Sequence, residues 1–325
     1  MFDSVARVVN KYRAVRAPHV VRCSSVGRRR GRVLVLHKTS ALVLPSLRGF
    51  DPHSNVRELR NIVGVLTERD FEVVVVDRNS PIECVPKESF DIVIGLGEGD
   101  SGKLLPHLFD RFSGSTKIAY CAGAEPSWSN LAIERRFRHA FESKGLRPPT
   151  TYRRAITELD FDQVLDQCHG LIVVGNNFTA QTYAPKIGRR PLFLVDGIAL
   201  APRRPAKSQG GSRHGFLCLA GNGSVLKGLD LVIDASMRMP DSKFGICGNL
   251  DSDLEKLYGG SVPSLGNLDI YGFVWPQSKK FQKILDGFAF GILASCKEGM
   301  ATSVLTMMSR GLVPVTTRES GVDVG

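Results

Sequence analysis

From Arg32 onward, short apolar runs of strand length recur with segments of helical periodicity between them, and this alternation limits the fold more than any other feature. The first series of runs is RVLVL, FEVVVV, DIVIGL, KIAYCA, GLIVVG and PLFLV, which ends near Asp196. Helical spacing falls between them at 55–69, after Gly102, at 130–143 and from Phe178. Apolar runs that do not alternate with polar residues suit strands buried on both faces, and intervening helices supply the crossovers. The pattern therefore predicts a parallel sheet covered on both sides. Residues 201–214, APRRPAKSQGGSRH, break it with Pro, Gly, Ser and positive charge and read as a linker. The alternation then restarts with GFLCLA, a helix over Leu226–Met239, KFGICG, LDIYGFV, a helix over Ser278–Leu285, GFAFGILA, a helix from Met300 with Arg310 in its last turn and Gly311 as its cap, and VPVTT. Two doubly wound α/β domains follow, 32–200 and 215–325, with a cleft expected between the carboxyl ends of their sheets. The second is shorter and stops just after a strand, so it is expected to be incomplete at its C-terminus.

A length of 325 residues is enough for two cores. The formal charge of +11 suits anionic partners such as nucleotides, phosphorylated lipids, nucleic acid or an acidic membrane face, and selects none of them. Much of it lies in residues 1–31, read as a basic arm: Arg7, Lys11, Arg13, Arg16, Arg22, Arg28, Arg29 and Arg30 face one acid, Asp3. Val5, Val8, Val9, Tyr12 and Val15 share one helical face. That stretch reads as a short amphipathic helix that could rest on an anionic membrane, or as a solvated or docked arm. The seven cysteines, at 23, 84, 121, 168, 218, 247 and 296, form no CxxC pair. They point to reduced thiols in a cytoplasmic protein. No apolar run reaches the ~20 residues that span a bilayer, and no signal peptide is visible.

Several motifs fail on inspection. GEGDSGKL, Gly97 to Leu104, lacks the Ser or Thr that a phosphate loop places after its Lys, and Glu98 and Asp100 would repel phosphate. A dinucleotide GxGxxG from Gly95 has Asp100 at the third glycine position. There is no GxSxG and no HExxH, so neither a hydrolase nucleophile nor a metal site is indicated. No basic sheet interleaved with aromatics points to specific nucleic-acid binding.

Two strand-end turns carry more. In LAGNGSVLKGLD, Leu219 to Asp230, Gly221 and Gly223 allow close backbone approach to a ligand, and Lys227 is placed at the start of a helix. A cation there opposes the helix dipole unless an anion joins it; a Gly-rich turn with a solvated Lys is the alternative. In SCKEGMATSVLTMMSRGLVPV, Ser295 to Val315, strand, Gly-containing turn, helix and strand follow within about twenty residues. The backbone of Gly299 to Ser303 could hold a diphosphate while Glu298 accepts hydrogen bonds from sugar hydroxyls, or Glu298 merely complements the helix dipole. Both turns follow strands of one sheet and open on the same edge.

On GNGSVLKGLD, SCKEGMATSVLTMMSRGLVPV and RESGVD, with VVGNNFTAQTYAP and KIAYCAGAEPSWSN in the first domain, the chain resembles the retaining glycosyltransferases of the GT-B fold, family 4 type. The resemblance runs from Arg32 to Gly325. It implies two Rossmann-like domains facing a cleft, a nucleotide-sugar donor held mainly by the second, and a glycan, lipid-linked or small-molecule acceptor held mainly by the first. It implies metal-independent transfer with retention, in polysaccharide biosynthesis, by a cytoplasmic protein that could sit peripherally at the inner membrane face. No cofactor is expected beyond the donor itself. Lys227 matches the family's diphosphate contact and Glu298 its contact to donor-sugar hydroxyls. Gly221, Asn222, Gly223, Ser224, Gly248, Gly299, Met300, Ala301, Thr302, Ser303 and Thr306 complete the implied donor site. Glu125 stands at the cleft end of a first-domain strand, where many members carry a polar residue, and is the candidate acceptor contact or base.

Two departures stand out. The family's second Glu, eight positions after the first, is Thr306 here, and the basic residue usual before the Lys is absent, with Asn222 and Ser224 nearby. A Thr can bond a ribose hydroxyl only without charge assistance. A non-catalytic sugar or nucleotide-sugar binding domain is the alternative, and an adaptor for anionic surfaces a third reading that rests on charge alone.

Overall fold

The computed structural model describes residues 17–24, 27–43, 54–96, 104–151, 158–200, 213–276 and 278–324. The predicted helix within 1–16, the turn of GEGDSGKL before Leu104 and linker residues 201–212 lie outside the described residues.

In chain order the first strands and helices are β1 (Val20–Cys23), β2 (Gly31–His37), α1 (Ser40–Val43), α2 (Ser54–Glu68), β3 (Phe71–Asp77), β4 (Ile92–Leu96), α3 (Leu104–Arg111) and β5 (Thr116–Cys121). Next come α4 (Pro126–Glu142), α5 (Glu158–Gln167), β6 (Gly170–Val174), α6 (Asn177–Ile187) and β7 (Leu192–Val195). Their strands form one sheet in the order β1-β3-β2-β4-β5-β6-β7. β2 pairs in parallel with β3 and β4, and β4 with β5. Val33–Leu36 and Val73–Val76 are buried almost completely, as expected of strands with helices on both faces.

The second set is β8 (Phe216–Leu219), α7 (Leu229–Arg238), β9 (Phe244–Cys247), α8 (Ser252–Lys256), β10 (Leu268–Gly272), α9 (Lys279–Asp286), β11 (Phe290–Leu293), α10 (Thr302–Met308) and β12 (Val313–Thr316). These strands form a parallel sheet ordered β10-β9-β8-β11-β12. The order reverses at β8, because β9 and β11 flank it. The topological switch point of a doubly wound sheet, where such folds place ligands, therefore lies at the end of β8. The fold class is α/β with doubly wound parallel sheets, as the alternation predicts.

Four local expectations are corrected. Residues 20–23 belong not to a free arm but to β1, which pairs antiparallel with β3, Val20 opposite Val76; the surrounding arginines obscure two β-branched residues that fit an edge strand. Helix α5 was not visible in the periodicity. Helix α7 starts at Leu229 rather than Leu226, because Gly228 takes a left-handed conformation (φ 74°). Helix α10 starts at Thr302 because Ala301 is extended (φ −66°, ψ 101°).

By packing, the chain divides into one compact unit of residues 1–121, 157–172 and 186–193 and a second of 122–156, 173–185 and 194–325. This differs from a division at residues 201–214, and the reason is apolar. Ile133, Phe137, Ala140 and Phe141 of α4 share one buried cluster with Leu217 and Leu219 of β8 and Val232 and Ile233 of α7. An Arg136–Asp230 ion pair joins the same two helices, and Lys144, just after α4, pairs with Asp234 of α7. No helix among the described residues is long and apolar enough to cross a membrane.

Candidate functional site

β8 and β11 are parallel neighbours, Phe216 opposite Phe290 and Leu217 opposite Gly291, so the turns that follow them emerge side by side. The first runs over Ala220–Gly228 and the second over Ala294–Ala301. The backbone joins them: the Cys296 amide donates to the Leu226 carbonyl at 3.0 Å. Gly228 makes the approach possible, since a Cβ there would lie 2.5 Å from the Ala294 carbonyl oxygen.

Across this junction Lys227 Nζ donates to Glu298 Oε1 in an ion pair. The Ser295 hydroxyl, buried beneath, donates to the same oxygen at 2.8 Å. The two side chains keep 13 % and 16 % of their surface exposed, so the pair is largely desolvated yet reachable. Burial alone would raise the Glu298 carboxyl, but the Lys227 charge and hydrogen bond, Ser295 and Lys297 outweigh it and hold the group below its ordinary range. The neighbouring Cys296 thiol is pushed up to about 11 by burial, which leaves it protonated and a poor nucleophile. The chemistry of the junction is thus one cation and one carboxylate paired where the two strand-end turns meet.

The other implied donor residues divide into two groups. Gly221 and Asn222 are exposed on the first turn, and Gly223 is half-buried. Ser224 belongs to the fold: its amide donates to Asp251 Oδ2 at 2.8 Å and its hydroxyl accepts from the Asp251 amide at 3.1 Å. Gly248, after β9, donates its amide to the Gly272 carbonyl at 2.8 Å. On the second turn, Gly299 is not an open cradle. A Cβ there would collide with the Ala122 carbonyl and come within 2.7 Å of the Val174 carbonyl oxygen. The Ala301 amide is taken by the Ser320 carbonyl at 2.9 Å, and Met300 Sδ lies 3.0 Å from the Gly197 amide. Thr302 and Ser303 are half-buried in the first turn of α10.

Two of the implied side chains are engaged within the fold. Thr306, read as a ribose contact, is 2 % exposed; its hydroxyl accepts from the Leu200 amide at 2.9 Å and donates to the Thr302 carbonyl at 2.6 Å. Both of its hydrogen-bonding roles serve the fold. Glu125 is 3 % exposed and caps α4, its Oε2 accepting from the Trp128 amide at 2.7 Å ahead of Pro126. The cap explains an acid at that position without an acceptor. Sequence reasoning missed Ser295 and Asp251, which orient Glu298 and Ser224. Ser295 opens one of the motifs and Asp251 lies outside them, and only the fold shows the partner of each. Among the described residues no group of three or more His, Cys, Asp or Glu could hold a metal ion.

No family model and no curated protein matches this chain by sequence. Solved structures do match by shape. Sucrose-phosphate synthase from Thermosynechococcus elongatus superposes with a TM-score of 0.58 at 11 % identity, covering 88 % of this chain and 81 % of that one. HepE from Anabaena, solved with UDP-glucose, gives 0.52 at 11 % identity, covering 88 % and 80 %. The chain spans less than half of the longer TarM from Staphylococcus aureus: 72 % of this chain matches 43 % of TarM, at 12 % identity and a TM-score of 0.47. At such identity the likeness shows the fold, which is that of the GT-B class.

Proposed function

We propose that this chain is a glycosyltransferase that takes a sugar from a nucleotide-sugar donor. The observation that carries the reading is the Lys227–Glu298 pair on adjacent strand-end turns at the switch point of the second sheet. A donor would exchange the partners of that pair. Its diphosphate takes Lys227, and a hydroxyl of its sugar donates to Glu298, whose low pKa keeps it an acceptor at neutral pH.

In the transfer step the bond from the anomeric carbon to the diphosphate oxygen breaks, and its electron pair leaves with the diphosphate. Lys227 stabilises that developing charge, so the step needs no metal. The acceptor hydroxyl oxygen forms the new bond on the same face of the sugar, and its proton passes to the departing diphosphate. Configuration is retained. The acceptor class is a glycan, a lipid-linked glycan or a small molecule, on a protein that works in the cytoplasm or peripherally at an anionic membrane face.

Replacing Lys227 or Glu298 with Ala should lower transfer, or donor hydrolysis where no acceptor is found, by about 10²-fold or more. Unchanged rates in both variants would remove the assignment. A second reading, a nucleotide-sugar binding module without turnover, is favoured by Thr306, whose hydroxyl is already engaged twice. A donor-dependent thermal shift with neither transfer nor hydrolysis would select it.

A further inference from the structure

The second strand-end turn is held from the side of α6, and that hold converges on one amide. Asn176 immediately precedes α6 and is 7 % exposed. Its Oδ1 accepts from the Thr179 amide at 3.1 Å, as a capping residue does at a helix start. Capping does not explain its other end. Nδ2 donates to Asp323 Oδ1 at 2.7 Å, 147 residues away in the chain. The Thr179 hydroxyl, buried beside it, lies 3.2 Å from the Gly299 carbonyl oxygen. Gly321, two residues before Asp323, packs so closely on that carbonyl that a Cβ could not fit, and the Ser320 carbonyl accepts the Ala301 amide. Asn176 thus ties together the two segments that clasp Gly299–Ala301. One is α6, through Thr179; the other is 320–323, through Asp323.

We infer that Asn176 is a positioning residue for the Glu298 turn, acting through the latch Asn176–Asp323 and the Thr179–Gly299 hydrogen bond it supports. A carboxylate that must meet a sugar hydroxyl needs its backbone fixed to a fraction of an ångström, and Glu298 directly precedes the clasped glycine. The consequence for turnover rests on the donor-site reading above; the latch does not.

The variant Asn176→Asp separates capping from latching. Aspartate caps a helix as well as asparagine, so α6 is kept, while two carboxylates now face each other where an N–H donated to one. Hydrogen exchange on the full chain should show the Ala301 amide exchanging about tenfold faster, the scale of a lost hydrogen bond to a charged group, with the Thr179 amide unchanged. The double variant Asn176→Asp with Asp323→Asn reverses donor and acceptor and should restore slow exchange. Where turnover is measurable, the single variant should lower kcat about tenfold with KM little altered, and the double variant should recover it. The exposed change Asp323→Ala, the variant least able to disturb folding, should also speed Ala301 exchange. Unchanged Ala301 exchange in Asn176→Asp or Asp323→Ala, or a reciprocal pair that restores nothing, would overturn the latch. A wild-type chain that neither binds nor turns over any nucleotide sugar would instead refute the donor-site reading, with the exchange result still deciding the latch.

Discussion

The turns after β8 and β11 occupy equivalent places in one sheet, yet one is open and the other is enclosed. On the first, Gly221 and Asn222 face solvent, and a Cβ on Gly221 would meet no atom within 4 Å. On the second, Gly299 is pressed by the carbonyls of Ala122 and Val174, and its own carbonyl lies against Gly321. The same motif logic, glycine at a strand end, therefore serves two physical ends. Gly221 leaves room for something outside the protein, whereas Gly299 makes room for the protein itself. Lys227 and Glu298, where the turns meet, are both fixed and partly exposed.

Single glycine substitutions should break this comparison most sharply. Gly299→Ala drives a methyl into backbone that cannot rotate away, and should cost about 3 kcal/mol or more in a denaturant melt. A melt like that of wild type would mean the second turn is as open as the first. Next in size, Thr306→Val strands the half-buried Leu200 amide and should cost about 1 to 2 kcal/mol while nucleotide affinity stays constant. A loss of affinity larger than the loss of stability would return Thr306 to the ribose.

A smaller effect is expected from pH. Because the folded Glu298 pKa lies below the ordinary 4.5, its contribution is fully present above that pH and is lost as pH falls through the folded value. Glu298→Gln should therefore flatten the acid side of the stability profile below pH 4.5 and leave the neutral side parallel to wild type. An unchanged acid limb would mean that the Lys227 pair does not form in solution. Smallest of all, Gly221→Ala should change stability by less than about 1 kcal/mol, since its site has space and no left-handed backbone.

Much of the fold was legible because continuous apolar strands and intervening helical spacing report burial directly. The twelve described strands include only one, β1, that the alternation did not reveal, and its pairing with β3 is antiparallel. The site was legible as far as its charges. Lys227 and Glu298 stand out as a cation and an acid at strand ends, and the sheet order brings them together. What sequence could not give is which polar groups the fold keeps for itself. Thr306, Ser224 and Glu125 read as ligand contacts, but each completes an internal hydrogen bond to a backbone amide from another segment or the next turn. Such partners lie up to 106 residues apart, and no local pattern encodes them. The packing of α4 against α7 was hidden for the same reason.

The central claim is that the junction of the two turns takes the diphosphate and sugar of a nucleotide-sugar donor. Calorimetric titration of the chain with UDP, GDP and ADP and their glucose and N-acetylglucosamine conjugates tests it directly, with Lys227→Ala in parallel. The account predicts that one nucleotide series binds wild type and that Lys227→Ala weakens it by about tenfold or more, the scale of a lost charge-assisted contact. Binding that is indifferent to Lys227, or no binding by any member of the panel, would contradict it.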